Sequence, residues 1–373
     1  MSSQTDAIRI PLFNTVREIA LCSPAVEGAC KRVLESGIFV NGPEADAFEK
    51  QFANTIGALH AVGVGSGTAG LEILLRADNV PAGRRISTTA HTFAAVVEAI
   101  LSVNAVPELV DIDDQSWQMP MVHANGNLAI VPHMYGSPSP AFNSIASEGY
   151  YEDASQSFGA AVSGRPVGRL GRAAVFSCHP TKNVSAVGDA GVIVTDDADL
   201  AGRLRAIRNH GQRSHQVHEL WGTTARLDEI QAAVLLEKLN RFPCFSAIRR
   251  RLAERYYAEL EHLPVRFPKP LAASVSVPNL FVLRTERRDL LRAFLNSHGV
   301  ATGVHYPAPI HKMAAYSKLP WAQVELPRTE ALAAEIVTIP LWVGMACHEQ
   351  TRVIEAMKEF WECGHYRGHG AAA

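Results

Sequence analysis

The stretch Phe176 to Gly191, FSCHPTKNVSAVGDAG, leaves one apolar run, Ala173-Ala174-Val175-Phe176, and enters another, Gly191-Val192-Ile193-Val194-Thr195. Short apolar, β-branched runs bounded by turn residues read as buried strands. Between them stands a single lysine, Lys182, bracketed by His179-Pro180-Thr181 and Asn183. A lysine there is either a charge on a surface turn or an amine held in a pocket, and loops ordinarily expose charge. The rest of the chain bears on that choice.

Upstream, Ala61-Val62-Gly63-Val64 runs into Gly65-Ser66-Gly67-Thr68 and a helix from Ala69 to Arg76. A small glycine-rich turn opening a helix lets backbone N–H groups approach an anion, and the helix dipole favours negative charge there. It lacks the lysine of a Walker loop and the third glycine of a dinucleotide fingerprint. The plain alternative is a tight turn with Ser66 or Thr68 as N-cap. Strands alternate with helices onward: Arg85-Ile86-Ser87, a helix to Ser102, Val106 to Val110 and Leu128 to Pro132. Apolar strands on this repeat predict a mostly parallel sheet covered on both faces, with ligands at the carboxyl ends of the strands. Polar residues gather at those ends: Ser66 and Thr68, His91 with Phe93, Asp111 and Asp113, His133, Asp153 and Gln156, and Ser177. A buried aspartate such as Asp153 needs a cationic partner to stay charged, and a protonated nitrogen heterocycle would supply one.

Outside this block, residues 16 to 56 read as two helices broken at Ser36 to Pro43, and the Gly37-Ile38-Phe39 turn is either a loop or a pocket wall. Helices are expected from Asp197 to Asn209, Arg226 to Leu239 and Phe245 to Leu260. The polar segment His210 to His218 reads as a mobile loop, its histidines poorly spaced for a metal, and no metal is expected. Beyond residue 245, strands at Val277 to Leu283 and Thr302 to Tyr306 and helices at Arg287 to Ser297 and Thr351 to Trp361 suggest a smaller α+β domain, ending in a mobile tail, Gly364 to Ala373.

With 35 basic and 37 acidic side chains the chain carries no electrostatic footprint for nucleic acid or an anionic membrane. Its six cysteines show no CxxC pair, which suits free thiols in a reducing compartment, the cytoplasm. The start, Met1 to Asp6, has no basic n-region, and no uncharged stretch approaches the ~18 apolar residues of a membrane helix, so neither export nor a membrane anchor is expected.

The chain resembles the DegT/DnrJ/StrS sugar aminotransferases. The resemblance rests on Gly42-Pro43-Glu44, Val64 to Thr68, His91-Thr92-Phe93, Val110 to Asp113, Glu152-Asp153-Ala154-Ser155-Gln156, Phe176-Ser177 with Lys182-Asn183, Gly188-Asp189, Arg226 to Glu229, Gln231 to Ala233 and His305-Tyr306-Pro307, in this order over nearly the whole chain. It implies an α/β fold of the aspartate-aminotransferase type (fold type I). A large pyridoxal-phosphate-binding domain is expected over residues 1–245 and a small α+β domain over 246–373. It implies transfer of an amino group, from glutamate as the expected donor, to a keto group of a nucleotide-linked sugar. Lys182 would form the Schiff base with pyridoxal 5'-phosphate and then shuttle a proton; Asp153 would pair with the pyridinium nitrogen and Gln156 bond the cofactor's hydroxyl. Gly67 and Thr68, with the Ser177 hydroxyl, would hold the phosphate, Ser66 would also bind the cofactor, and Phe93 would stack on the ring. Phe39, His305 and Tyr306 are candidate substrate contacts. A homodimer with shared sites is implied, Thr224 and Arg226 reaching the neighbour's cofactor phosphate. The chain departs from the family at Thr224, where an asparagine is usual, and at Asn279, where a histidine is frequent. Amination of a cyclitol ketone such as an inosose, and a regulatory protein that binds the cofactor without turnover, are the alternatives.

Overall fold

The computed structural model describes residues 9–120, 128–143, 149–214 and 216–362. Met1 to Asp6, His215, Cys363 and the tail Gly364 to Ala373 lie outside them. Helices α1 (Thr15–Ala20), α2 (Ser23–Ser36) and α3 (Pro43–Ile56) come first, so the first of the two expected helices is in fact a pair. The strands β1 (His60–Val64), β2 (Arg85–Thr89), β3 (Val106–Val110), β4 (Leu128–Pro132), β5 (Tyr150–Asp153), β6 (Ala173–Ser177) and β7 (Gly191–Thr195) form one sheet in the order β1-β7-β6-β5-β4-β2-β3. Only β7 runs antiparallel to its neighbours, β1 and β6; all other pairs are parallel. This is the mostly parallel sheet expected from the apolar runs.

Both faces are covered, as the period-two alternation requires. Val192 and Val194 face the side of Phe48, Phe52, Phe158 and Phe176, whereas Ile193 and Val175 face Leu71, Leu74 and Leu200. Those two sides are lined by α3 and by α4 (Gly67–Ala77), α5 (Ala95–Ser102) and α6 (Ala198–Ile207). Phe52 is central to the first side, its ring centroid 5.5, 5.1 and 5.3 Å from those of Phe48, Phe158 and Phe176. Truncating so buried a ring costs about 3–5 kcal/mol.

The antiparallel strand determines where the polar residues meet. Gly191, the first residue of β7, is paired with both Val64 at the end of β1 and Ser177 at the end of β6. The turn after β1 and the lysine loop after β6 are therefore brought to the same edge. A side chain at Gly191 would lie 2.6 Å from the Ser66 carbonyl carbon, so this close approach requires glycine.

Helix α7 (Glu229–Leu260) is continuous, where two helices were expected; Pro243 sits inside it. A proline removes one ladder bond without necessarily ending a helix whose flanks are packed on both sides. Ala232, Leu235, Leu239 and Phe242 join the core beneath the sheet, while Leu252, Ala253, Tyr256 and Leu260 join a second core. That core is built with Ile10, helices α8 (Arg288–Ser297) and α10 (Cys347–Glu362), and the antiparallel pair β8 (Phe281–Arg284) and β9 (Ile336–Ile339). Helix α9 (Pro327–Glu335) precedes β9. The strand expected at Val277 begins only at Phe281, and the one expected at Thr302 to Tyr306 is reduced to an isolated bridge from Gly303 to Thr338. The His210 to His218 segment contains a short hairpin, Gln212–Ser214 with Val217–His218, rather than an unstructured loop.

Candidate active site

A cavity of about 400 Å³ opens at the carboxyl ends of the parallel strands, lined from all sides by residues distant in sequence. Ser66, Gly67 and Thr68 reach it from the start of α4; Asp153 and Gln156 from the end of β5; Ser177 and Lys182 from the end of β6 and its loop. Phe93, His305 and Tyr306 close it from the side of α5 and the second core. Of the candidate site residues, Phe39, Thr224 and Arg226 do not line it.

The start of α4 is built for an anion. The Ser66 hydroxyl accepts from the Ala69 N–H at 3.0 Å, which caps the helix, and the N–H groups of its first turn have no intrahelical partner. A Cβ on Gly67 would meet the Ser177 Cβ at 2.9 Å, so glycine lets the hydroxyl-bearing end of β6 come against the helix terminus. Both readings of this turn, cap and anion cradle, are thus compatible, Ser66 serving as the cap.

Lys182 is half-buried and lines the cavity. Burial lowers the proton affinity of its amine, and the negative charge of Asp153 pulls the other way. Asp153 accepts from the Ser155 N–H at 3.1 Å. Gln156 is held at both ends of its amide: Oε1 accepts from the Tyr135 N–H at 2.8 Å, and Nε2 donates to the Tyr306 hydroxyl at 3.1 Å. The Tyr306 ring lies 5.8 Å from that of Phe93, which remains 55% exposed and available to a ring below it.

Two histidines beside the cavity are kept neutral. Burial, then the proximity of His305, lowers the pKa of His91 to about 4; burial, then Lys182, lowers that of His305 to about 4. The Tyr135 hydroxyl lies within hydrogen-bonding distance of the His305 carbonyl, at 3.2 Å, and is hydrogen-bonded to His91 Nε2. His305 Nδ1 is bonded to the Thr338 hydroxyl at 2.8 Å.

Strand-end position did not suffice for every polar residue. Asp111 accepts from the N–H groups of Arg328 and Thr329 at 3.0 and 2.7 Å and so caps α9, while Asp113 accepts from Ser116 N at 2.7 Å within its own turn. Conversely, Phe13, His179, Asp189 and Asn279 line the cavity without having been assigned to it. His179 and Asp189 were visible as neighbours of Lys182; Phe13 carried no signal in an unpatterned segment. Asn279 donates to the Thr181 carbonyl at 2.8 Å, which makes the residue that replaces a frequent histidine part of the support of the lysine loop.

Phe39, Thr224 and Arg226 stand outside the lining: Val40 is bridged to Asp228, and Arg226 to Val64, just before the turn that opens α4. Phe39 is 53% exposed. The Thr224 hydroxyl is bonded to His210 Nε2 at 2.8 Å, and Arg226 Nη1 donates to Asn209 Oδ1 at 3.1 Å.

A family model, DegT/DnrJ/EryC1/StrS aminotransferase family, matches residues 24–358. The chain belongs to this family. Among its relatives in the family, the erythromycin biosynthesis sensory transduction protein EryC1 of Saccharopolyspora erythraea is 39% identical over 345 residues, 89% of this chain and 94% of that protein. The dTDP-3-amino-3,4,6-trideoxy-alpha-D-glucose transaminase of Streptomyces venezuelae is 35% identical over 374 residues, 97% of this chain and 99% of that protein. The crystal structure of S. venezuelae DesV, in complex with a ketimine intermediate, superposes with a TM-score of 0.91 at 34% identity, covering 95% of this chain and 99% of that one. The DegT/DnrJ/EryC1/StrS fold is therefore the fold of this chain, a pyridoxal-phosphate-dependent aminotransferase of fold type I. The cavity suits that cofactor: it offers a helix N-terminus with hydroxyls for a phosphate, a carboxylate for a ring nitrogen, and a buried amine for a carbonyl carbon.

Proposed function

We propose that the chain moves an amino group from an amino acid, with glutamate as donor, to the keto carbon of a nucleotide-linked sugar, and that Lys182 and Asp153 carry the chemistry. The observation behind this reading is that a half-buried lysine and a carboxylate that acts on its charge share one cavity at the edge where the sheet delivers its strand ends. Sugar transaminases among the relatives, such as that of S. venezuelae, support the substrate class.

Ser66, Gly67, Thr68 and Ser177 would hold the cofactor phosphate, Asp153 its ring nitrogen, Gln156 its hydroxyl and Phe93 its ring face. When bound, pyridoxal phosphate supplies a ring that accepts the electron pair left on the donor's α-carbon. Lys182 does the proton work: burial favours its unprotonated form, the form in which an amine is a nucleophile and a base. Asp153, as a carboxylate, stabilises positive charge at the position it faces by a charge-assisted hydrogen bond. Tyr306 and Phe93 set an aromatic wall on the cavity, and His305, neutral and bonded to Thr338, presents a ring rather than a charge to the substrate.

A two-fold dimer completes the proposal. Phe39 and Thr224 are exposed, as are Ile38 and Val40, and the half-buried Arg226 likewise stands outside the chain's own cavity, which suits residues that serve a neighbour. Division into domains at residue 245, inside α7, and a cytoplasmic location belong to the same reading; no helix among the described residues is long and apolar enough to cross a membrane.

Adding glutamate to the yellow holoprotein tests it directly. Loss of the bound cofactor's visible absorbance with appearance of 2-oxoglutarate is expected, followed by amination of one member of a panel of nucleotide-linked ketosugars. Cofactor binding with no 2-oxoglutarate would favour the regulatory alternative, to which the name of EryC1 draws attention. Turnover of inososes alone would move the substrate to the cyclitols.

A further inference from the structure

Three residues beyond Lys182, Ser185 is fully buried in a polar cluster with Glu18 of α1 and Lys238 and Arg249 of α7, which are only 5, 3 and 3% exposed. The Ser185 hydroxyl donates to Glu18 Oε1 at 2.9 Å; Lys238 Nζ reaches the same carboxylate oxygen at 2.9 Å and the Ser185 oxygen at 2.6 Å. Arg249 Nη2 lies 3.6 Å from Glu18 Oε2. Within this cluster a single carboxylate faces two cations that have been taken out of water, and without it both would be left uncompensated.

The cluster reaches Lys182 by two routes. One is Ser185 itself. Along the other, Arg249 Nη1 donates to the Pro278 carbonyl at 3.4 Å, and the next residue, Asn279, holds the Thr181 carbonyl. Asn183 in turn donates to the Val277 carbonyl at 2.9 Å. Thr181, Asn183 and Ser185 are thus each tied from outside the loop that carries the lysine. On α1, the residue before Glu18 faces the second core: Arg17 pairs with Glu349 of α10 at 2.7 Å and its guanidinium lies 5.2 Å from the centre of the Trp342 ring.

We propose that Glu18 is a positioning residue for Lys182: through Ser185 and the two cations it fixes the path of the lysine loop, and so the place of the amine opposite Asp153. The inference rests on Lys182 being the cofactor lysine. Misplacing a reacting group by about 1 Å can cost about a hundredfold in rate, so a displaced loop should be felt in turnover more than in binding.

Two variants test it in the holoprotein. Glu18→Gln keeps the shape and removes the charge; Ser185→Ala leaves all three charges and removes the hydroxyl through which they reach the loop. Expected are faster amide hydrogen exchange in residues 178–187, a fall in kcat of about tenfold for Glu18→Gln and severalfold for Ser185→Ala, and a KM for the amino donor within about twofold of wild type. If Glu18→Gln does not fold, Ser185→Ala alone decides. Unchanged loop exchange, or a lowered melting temperature with unchanged kcat, would overturn the inference, since the cluster would then be structural only. Borohydride reduction and peptide mapping of the wild-type protein locate the cofactor lysine independently, so failure of that assignment is read separately.

Discussion

At Lys182, burial lowers the proton affinity of the amine and the charge of Asp153 opposes that shift. Lys182→Ala should abolish transamination in a folded protein; a borohydride-reducible adduct on another lysine would show the assignment wrong. Asp153→Asn keeps the shape but loses the charge, and turnover should fall about a hundredfold or more while cofactor still binds; near-normal turnover would take Asp153 out of the mechanism. His91 carries a pH signature. Its pKa is about 4 when folded and near 6.5 when unfolded, so between these values the unfolded chain takes up a proton that the folded chain does not. Stability must therefore fall as pH drops from 6.5 to 4, by about 3 kcal/mol for this residue, with His305 adding in the same direction. Urea unfolding at pH 7 and 4.5 should show a drop that shrinks by about 2–3 kcal/mol in His91→Gln; an unaltered drop would mean that the ring titrates normally. These residues were legible because each follows an apolar run, and side chains there project from the sheet edge. Phe13 and Glu18 were not legible: they sit in a short N-terminal segment, far along the chain from Ser185 and Lys182, and only folding gives them neighbours.

The β-branched runs of the large sheet could be read as strands because most side chains on them are buried on one face or the other. Helix α7 could not be read as one element, since Pro243 looks like a stop and only packing on both flanks overrides it. Strand β9 was missed because its four residues follow α9 directly and its one strand partner is β8, apart from the bridge at Gly303. Helix α4 carries a prediction of its own. Ser66→Ala removes the acceptor of the Ala69 N–H and should cost about 1 kcal/mol of stability. Because the same turn is proposed to hold the cofactor phosphate, the dissociation constant for pyridoxal phosphate should rise as well, about fivefold if a similar energy is lost. Titration of the apoprotein measures it; an unchanged constant would separate the cap from the phosphate site.

On the scale of the whole molecule, Thr224 and Arg226 lie outside the chain's own cavity, the arrangement expected if they complete a partner's. Mixing Arg226→Ala subunits with Lys182→Ala subunits should restore activity, because one hybrid site then has both an intact lysine and an intact arginine. Verified heterodimers without recovered activity, or an active monomer in sedimentation, would reject the shared site. The family fold was readable from the order of motifs; the surface that two copies would share was not, because exposed Ile38, Phe39 and Val40 look in sequence like any loop. Helix α7, about 48 Å long at 1.5 Å per residue, has a further effect. One end of this rod is a wall of the core beneath the sheet and the other a wall of the core around β8 and β9. Neither core can melt without stripping the other of a wall, so heating should give a single endotherm, its calorimetric and van't Hoff enthalpies in step, from a chain that has two centres of packing.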